Sequence, residues 1–166
     1  MAKAIELHEM GDLDESSVDE HVRPRLDQWR RFVDREVDYV LGVELVTWAW
    51  AAEGIPFVAI IDAVVRMRST GWLRSLNAKC GKNRRVYELQ TAVELFAFAD
   101  QLHLGRADEY LERGVLELGE KAYQWVPHRK EADFAEAINM FVDLGPRAQW
   151  KAAQGGEDEQ PEAATR

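Results

Sequence analysis

The clearest hydrophobic rhythm in the chain lies between residues 57 and 67. Phe57, Ile60, Ile61, Val64 and Met67 recur at three- and four-residue steps, the spacing that lines one face of a helix. Ala59, Asp62, Ala63 and Arg66 fall on the other face. Gly54-Ile55-Pro56 supplies a turn with Pro at a first helical position, and Ser69-Thr70-Gly71 supplies a stop. Beyond it, Trp72–Leu76 and Arg85–Leu89 alternate apolar and polar residues on either side of a turn-rich stretch, 77–83. That pattern predicts a helix followed by a β-hairpin.

The remaining patterns predict helices. Leu26 to Leu41 is amphipathic, with Leu26, Trp29, Val33, Val37 and Val40 sharing a face. Val43 to Glu53 is apolar almost throughout. Its Ala-rich end and the Gly-Ile-Pro stop favour a buried helix, against the strand that its Val, Thr and Trp residues also allow. Further helices are expected over 91–103, 106–126 and 131–144. The second is weakened at Gly114 and Gly119 by about 1 kcal/mol each relative to Ala, and Pro127 ends it. Residues 1–25 are acidic with few aromatics and are expected to be mostly flexible; the polar, acidic end of the chain is expected to be disordered. The expected fold class is mainly α with a small β-hairpin.

Charge changes the picture most. The 166 residues carry 21 basic and 30 acidic side chains, a net charge of −9. Yet no Asp or Glu occurs from Ala63 to Tyr87, where Arg66, Arg68, Arg74, Lys79, Lys82, Arg84 and Arg85 all fall. A cationic block in an acidic chain suits contact with a polyanion's phosphates. The bland alternative is that these residues solvate a loop and pair with the acidic tails.

A resemblance rests on these residues. A helix, then Gly71-Trp72-Leu73-Arg74, a polar loop, and Lys82-Asn83-Arg84-Arg85-Val86-Tyr87-Glu88-Leu89-Gln90 resembles the recognition helix and wing of PadR- and MarR-type winged helix-turn-helix regulators, over about residues 26–104. The resemblance implies an arm (1–25), a winged-helix core (26–104), C-terminal helices for core completion or dimerisation (105–150) and an acidic tail (151–166). It implies a DNA-binding transcriptional regulator, a homodimer on double-stranded DNA. Ala59, Asp62, Ala63 and Arg66 would form the reading face, and Arg68, Arg74, Lys79, Lys82, Arg84 and Arg85 the basic surface. That face offers only one good donor to a guanine edge. The alternative is an adaptor or regulatory subunit whose winged helix binds another protein, and a third reading is an RNA-binding accessory protein.

Little else points to chemistry. No nucleophile-elbow, phosphate-loop or His-Glu-x-x-His pattern occurs, and His8, His21, His103 and His128 lack metal-ligand spacing. The expectation is no enzyme, no cofactor and no catalytic or metal residue. The lone Cys80 cannot form an internal disulfide, and a bystander role outweighs a redox sensor without a resolving partner. No apolar stretch has the length of a membrane span, and the acidic N-terminus lacks a signal-peptide core, so a cytoplasmic home is expected.

Overall fold

The apolar run from Val37 to Met67 folds as one long antiparallel hairpin. Its arms are β1 (Val37–Ala52) and β2 (Ile55–Met67), paired along their whole length from Val37↔Met67 to Ala52↔Ile55. Glu53-Gly54 makes the turn, with Gly54 at φ 74°, a conformation open to a residue without a Cβ. The expected helices over 43–53 and 57–67 are therefore both strands. The reason is visible in the residues. Phe57, Ala59, Ile61, Ala63, Val65 and Met67 also alternate, and Val58, Ile60, Ile61, Val64 and Val65 are β-branched, so period 2 fits as well as period 3.6. Cross-strand pairing decides between them.

The computed structural model describes residues 1–81, 85–102, 111–129 and 132–140. Within them, α1 (Ala2–Glu9), a short 3-10 turn (Glu15–Ser17) and α2 (Arg23–Glu36) precede the hairpin. After it come β3 (Leu73–Lys79), α3 (Arg85–Gln101), β4 (Leu111–Leu118), β5 (Tyr123–Pro127) and a helical segment over 132–140, α4. The sheet order is β1-β2-β3-β4-β5, antiparallel except for the β3–β4 pair, which is parallel with α3 in the crossover.

This is an α/β fold and not a mainly helical one. The winged helix is overturned with it. Its recognition helix is β2, and the two arms of its wing are β3 and the first turn of α3. The helix expected over 106–126 is replaced by β4 and β5 wherever it is described. The helix expected over 26–41 holds as α2 up to Glu36, with Trp29 and Phe32 buried, but Val37–Leu41 belong to β1; 91–101 lies within α3. Residues 2–9, read from sequence as part of a flexible arm, form α1 with Ile5 buried.

Three cores hold the layers together. On one face, Ile5, Leu26, Trp29 and Phe32 pack on Val37, Ala63, Val65, Leu76 and Leu116. On the other, Phe96 and Ala97 of α3 pack on Ala49, Phe57 and Ala59, and Phe98 packs with Ile61 and Val64. Membership changes sides within the hairpin. Val43 and Ala63 belong to the α1/α2 core, whereas Leu45 and Ile61, two residues along, belong to the α3 core. Residues two apart in a regular strand share a face, so the hairpin inverts between these pairs. Glu44, at φ 50°, makes the inversion in β1, opposite Asp62.

Close packing also fixes β4 against β5. A Cβ on Gly114 would lie 2.3 Å from the Val126 carbonyl oxygen and 2.8 Å from the Trp125 ring. Gly114→Ala is expected to cost about 1–3 kcal/mol in urea unfolding. Gly81→Ala, with nothing within 4 Å of the added carbon, should stay within about 0.5 kcal/mol.

Candidate functional site: the distal hairpin and its groove

The described cations of the basic block point to separate partners. Arg66 pairs with Asp38 at 3.8 Å beside the Tyr39 ring, and Arg68 donates to the Asp34 and Val37 carbonyls at 3.1 and 2.8 Å. Arg74 pairs with Glu112 at 2.7 Å and lies 4.5 Å from the Trp125 ring centre. Lys79 donates to Asn77 Oδ1 at 3.0 Å and pairs with Asp62 at 3.7 Å. Arg85, at the start of α3, pairs with Glu88, Asp133 and Glu136. Ala59 and Ala63 are buried, and Asp62 accepts the Ala78 N–H at 2.8 Å. Lys82 and Arg84 lie outside the described residues. Eight of the ten predicted positions are thus spread over β2, β3, the turn between them and α3, and the cations among them are matched by the chain's own acids and carbonyls.

A different surface stands out at the distal end of the hairpin. Between Thr47 and Ala51 the residues alternate by size. Thr47, Ala49 and Ala51 face α3, where a small side chain lets Phe96 and Ala97 approach. Trp48 and Trp50 face outward, 52% and 50% exposed, beside Val46 at 66%. Their cross-strand partners are Val58 and Ile60, themselves exposed, through Trp48↔Val58 and Val46↔Ile60. Large apolar side chains usually rank among the most buried. Here the small ones are inside and the large ones outside. The sequence reading took this stretch as a buried helix and so missed the site; the Trp-Ala-Trp-Ala alternation was the signal for it.

The surface continues over the edge of β2. β3 pairs with β2 only from Ala63↔Leu76 to Arg66↔Leu73, after which the Asp62 carboxylate takes the Ala78 N–H in place of a ladder bond. Among the described residues, nothing pairs with β2 from Ile55 to Asp62 on that side. A groove of about 400 Å³ opens there, between Val58 and Ile60, the α3 stripe Val86, Leu89, Gln90, Val93 and Glu94, and Ala137 and Met140 of α4. Val58 and Ile60 belong to both the exposed ladder and the groove.

One wall of the groove is polar. Glu94 is 2% exposed; its carboxyl oxygens accept from Gln90 Nε2 at 2.8 Å and from Asn77 Nδ2. Burial, with the Asp62 charge adding to it, pushes the Glu94 carboxyl up to about 8 despite the Gln90 and Asn77 donors and Lys79. Burial also raises Asp62, against Lys79 and the Ala78 N–H. Burial and the charge of Asp62 raise Glu44, whose Oε1 is buried with no hydrogen-bond partner among the described residues.

A second buried polar cluster anchors α4. Arg113, 3% exposed, donates to Asp133 at 3.0 Å, to Thr91 Oγ1 at 3.0 Å and to the Glu88 carbonyl at 2.8 Å, and Thr91 Oγ1 lies 2.8 Å from His128 Nδ1. Burial and the Arg113 charge hold His128 below the usual imidazole range. Burial would raise Asp133, but the Arg113 and Arg85 guanidiniums outweigh it and hold its carboxyl low. Both shifts favour α4 at neutral pH and weaken its anchor as the solution is acidified.

Glu94 works in the opposite sense. Its folded value lies above the unfolded one, so its stabilising contribution is fully present below about pH 4.5 and is lost as the pH rises through about 8. Glu94→Gln removes the titration and leaves a neutral side chain of the same shape. The variant should gain on the wild type as pH rises, by roughly 2–4 kcal/mol at pH 8, and show no gain at pH 4.5. Denaturant melts across that range measure it. Parallel curves for the two proteins would contradict the buried carboxyl.

No helix among the described residues is long and apolar enough to cross a membrane. No protein-family model and no curated protein matches this sequence.

Proposed function

We propose that this chain is a protein-binding module that holds an extended, apolar segment of a partner polypeptide on the distal β1–β2 hairpin. The outward Trp48 and Trp50, backed by Thr47, Ala49 and Ala51, carry this reading. Those tryptophans add nothing to the α3 core on the other side of the strand, and an exposed aromatic ladder on an edge strand is a known hazard for self-association. Aromatic anchors flanked by exposed β-branched residues suit a partner strand with alternating side chains. The net charge of −9 favours a segment carrying basic residues.

This reading keeps the adaptor idea from the sequence and discards its winged helix. DNA binding rested on that motif and on a shared cationic face, and the described residues supply neither. A regulator that grips phosphates would need free guanidinium groups, whereas Arg74 and Arg85 are held in ion pairs.

The test uses the full chain and the peptide acetyl-Val-Thr-Ile-Lys-Ile-Thr-Val-amide, followed by intrinsic tryptophan fluorescence and calorimetry. Wild-type protein should bind it. Trp48→Thr combined with Trp50→Thr should weaken binding at least about tenfold, ~1.4 kcal/mol, while changing stability by only about 1 kcal/mol. Equal binding by the double variant, or no binding by the wild type, would defeat the proposal.

A further inference from the structure

We infer that the groove beside β2 is a lysine pocket, taking one lysine side chain of the partner segment with its methylene stem on Val86, Leu89 and Val93 and its ammonium at Glu94. The inference rests on the partner-segment reading above and names the residue that the segment must carry.

Charge and shape lead to it independently of the tryptophans. Three carboxyl groups, Glu44, Asp62 and Glu94, crowd the place where the hairpin inverts, and the nearest cation they share is Lys79. Lys3, the other base near Glu44, pairs with Glu6 at 2.7 Å. Lys79 pairs with Asp62 at 3.7 Å and reaches Glu94 only through Asn77, at 3.0 Å from its Oδ1. Glu94 therefore stands in the wall of an open groove with amide donors around it and, among the described residues, no ammonium of its own. Ionising a buried carboxyl in that position is costly unless a cation joins it. The rest of the lining is aliphatic: Val58, Ile60, Val86, Leu89, Val93 and Met140. An apolar stem ending in a positive charge matches both parts. Lysine fits better than arginine, because the site offers a single carboxyl with both oxygens already accepting from amides, and not the bare fork that a guanidinium engages with two parallel bonds.

The proton balance follows from the groups that face the carboxyl: Asp62 from β2, Lys79 and Asn77 from β3, and Gln90 one turn back on α3. In the empty groove near neutral pH, Glu94 is protonated. When a lysine ammonium enters, the Glu94 O–H bond breaks, its proton goes to solvent, and the carboxylate accepts a hydrogen bond from the ammonium. Each lysine bound thus releases one proton below about pH 8. Affinity should rise by up to about tenfold per pH unit from pH 6 to 8 and then level off.

The experiment uses the full chain and the same peptide with its central Lys replaced in turn by norleucine and by Arg. Calorimetry in two buffers of different ionisation enthalpy counts the protons. We expect the Lys peptide to bind at least about tenfold tighter than the norleucine peptide at pH 8, with one proton released at pH 7. Glu94→Gln should abolish both the release and the pH slope. Lys and norleucine peptides that bind alike, yet lose binding in the Trp48→Thr, Trp50→Thr protein, would overturn the lysine pocket and leave the hairpin reading standing. Binding of neither peptide would overturn both. Hexylamine that binds as tightly as the Lys peptide would also overturn the inference, since the groove would then be a site for small amines. Because the peptide series needs no protein variant, a Glu94→Gln chain that failed to fold would still leave the pocket testable.

Discussion

A mismatch in length governs this molecule. The sixteen residues of β1 extend over about 50 Å, whereas the fourteen of α2 reach only about 21 Å. Helices on the α1/α2 side can therefore cover the half of the hairpin that carries Val37, Val43, Ala63 and Met67, and they leave the rest bare. The inversion at Glu44 and Asp62 answers part of the problem by turning Leu45, Ala49, Phe57 and Ile61 toward α3. It leaves Trp48, Trp50, Val46, Val58 and Ile60 on the uncovered face. An apolar ladder of that kind costs a protein solubility, so a surface shaped to be covered is the economical account of it.

The same inversion creates the groove. Asp62 lies at the kink, and its carboxylate takes the Ala78 N–H that a regular ladder would have given to the β2 backbone. β3 is thereby released from β2 and runs on beside β4, with which it pairs in parallel from Leu73 to Lys79. α3 must then cross from one to the other, and its stripe at 86, 89, 90, 93 and 94 closes the fork from behind. One acidic side chain at a bend thus links strand order, groove and the buried Glu94.

What the sequence revealed follows the same physics. α2 was legible from Leu26, Trp29 and Val33, which share one face of a helix whose other face is charged, but the same period carried the expected helix through Val37 and Val40, which begin β1. α3 was legible from Thr91 onward, although its first turn reads as a strand because Arg85–Leu89 alternates. The hairpin was misread because 43–67 is apolar at both periods, and local pattern cannot separate a strand apolar on both faces from a buried helix. Gly54 was recognised as a turn, but a turn between strands and one between helices look alike when Pro follows. The placement of the basic residues was illegible for a related reason. Seven bases close in sequence looked like one patch, yet strand pairing sends Arg66 to Asp38, Arg74 to Glu112 and Arg85 to Asp133, partners 28 to 48 residues away.

Two polar clusters on neighbouring turns of α3 make an instructive contrast. Near α4, the guanidiniums of Arg113 and Arg85 meet Asp133, Glu88 and Glu136 directly, and the carboxyl of Asp133 is held low. Burial of those charges is balanced locally, and the cluster fixes a helix in place. At the hairpin kink Lys79 is the one described cation that acts on all three carboxyls, and all three are raised. Burial is the first cause of the raised carboxyls at the kink, whereas at Asp133 two guanidiniums outweigh it. In the balanced cluster Arg113 and Asp133 are enclosed by α3, β4 and α4, while Arg85 and Glu136 reach the surface. The unbalanced one borders an open groove, where a cation from outside can enter. Missing charge beside an opening is what a recognition site leaves for its ligand to supply, whereas a purely structural cluster has every reason to be complete.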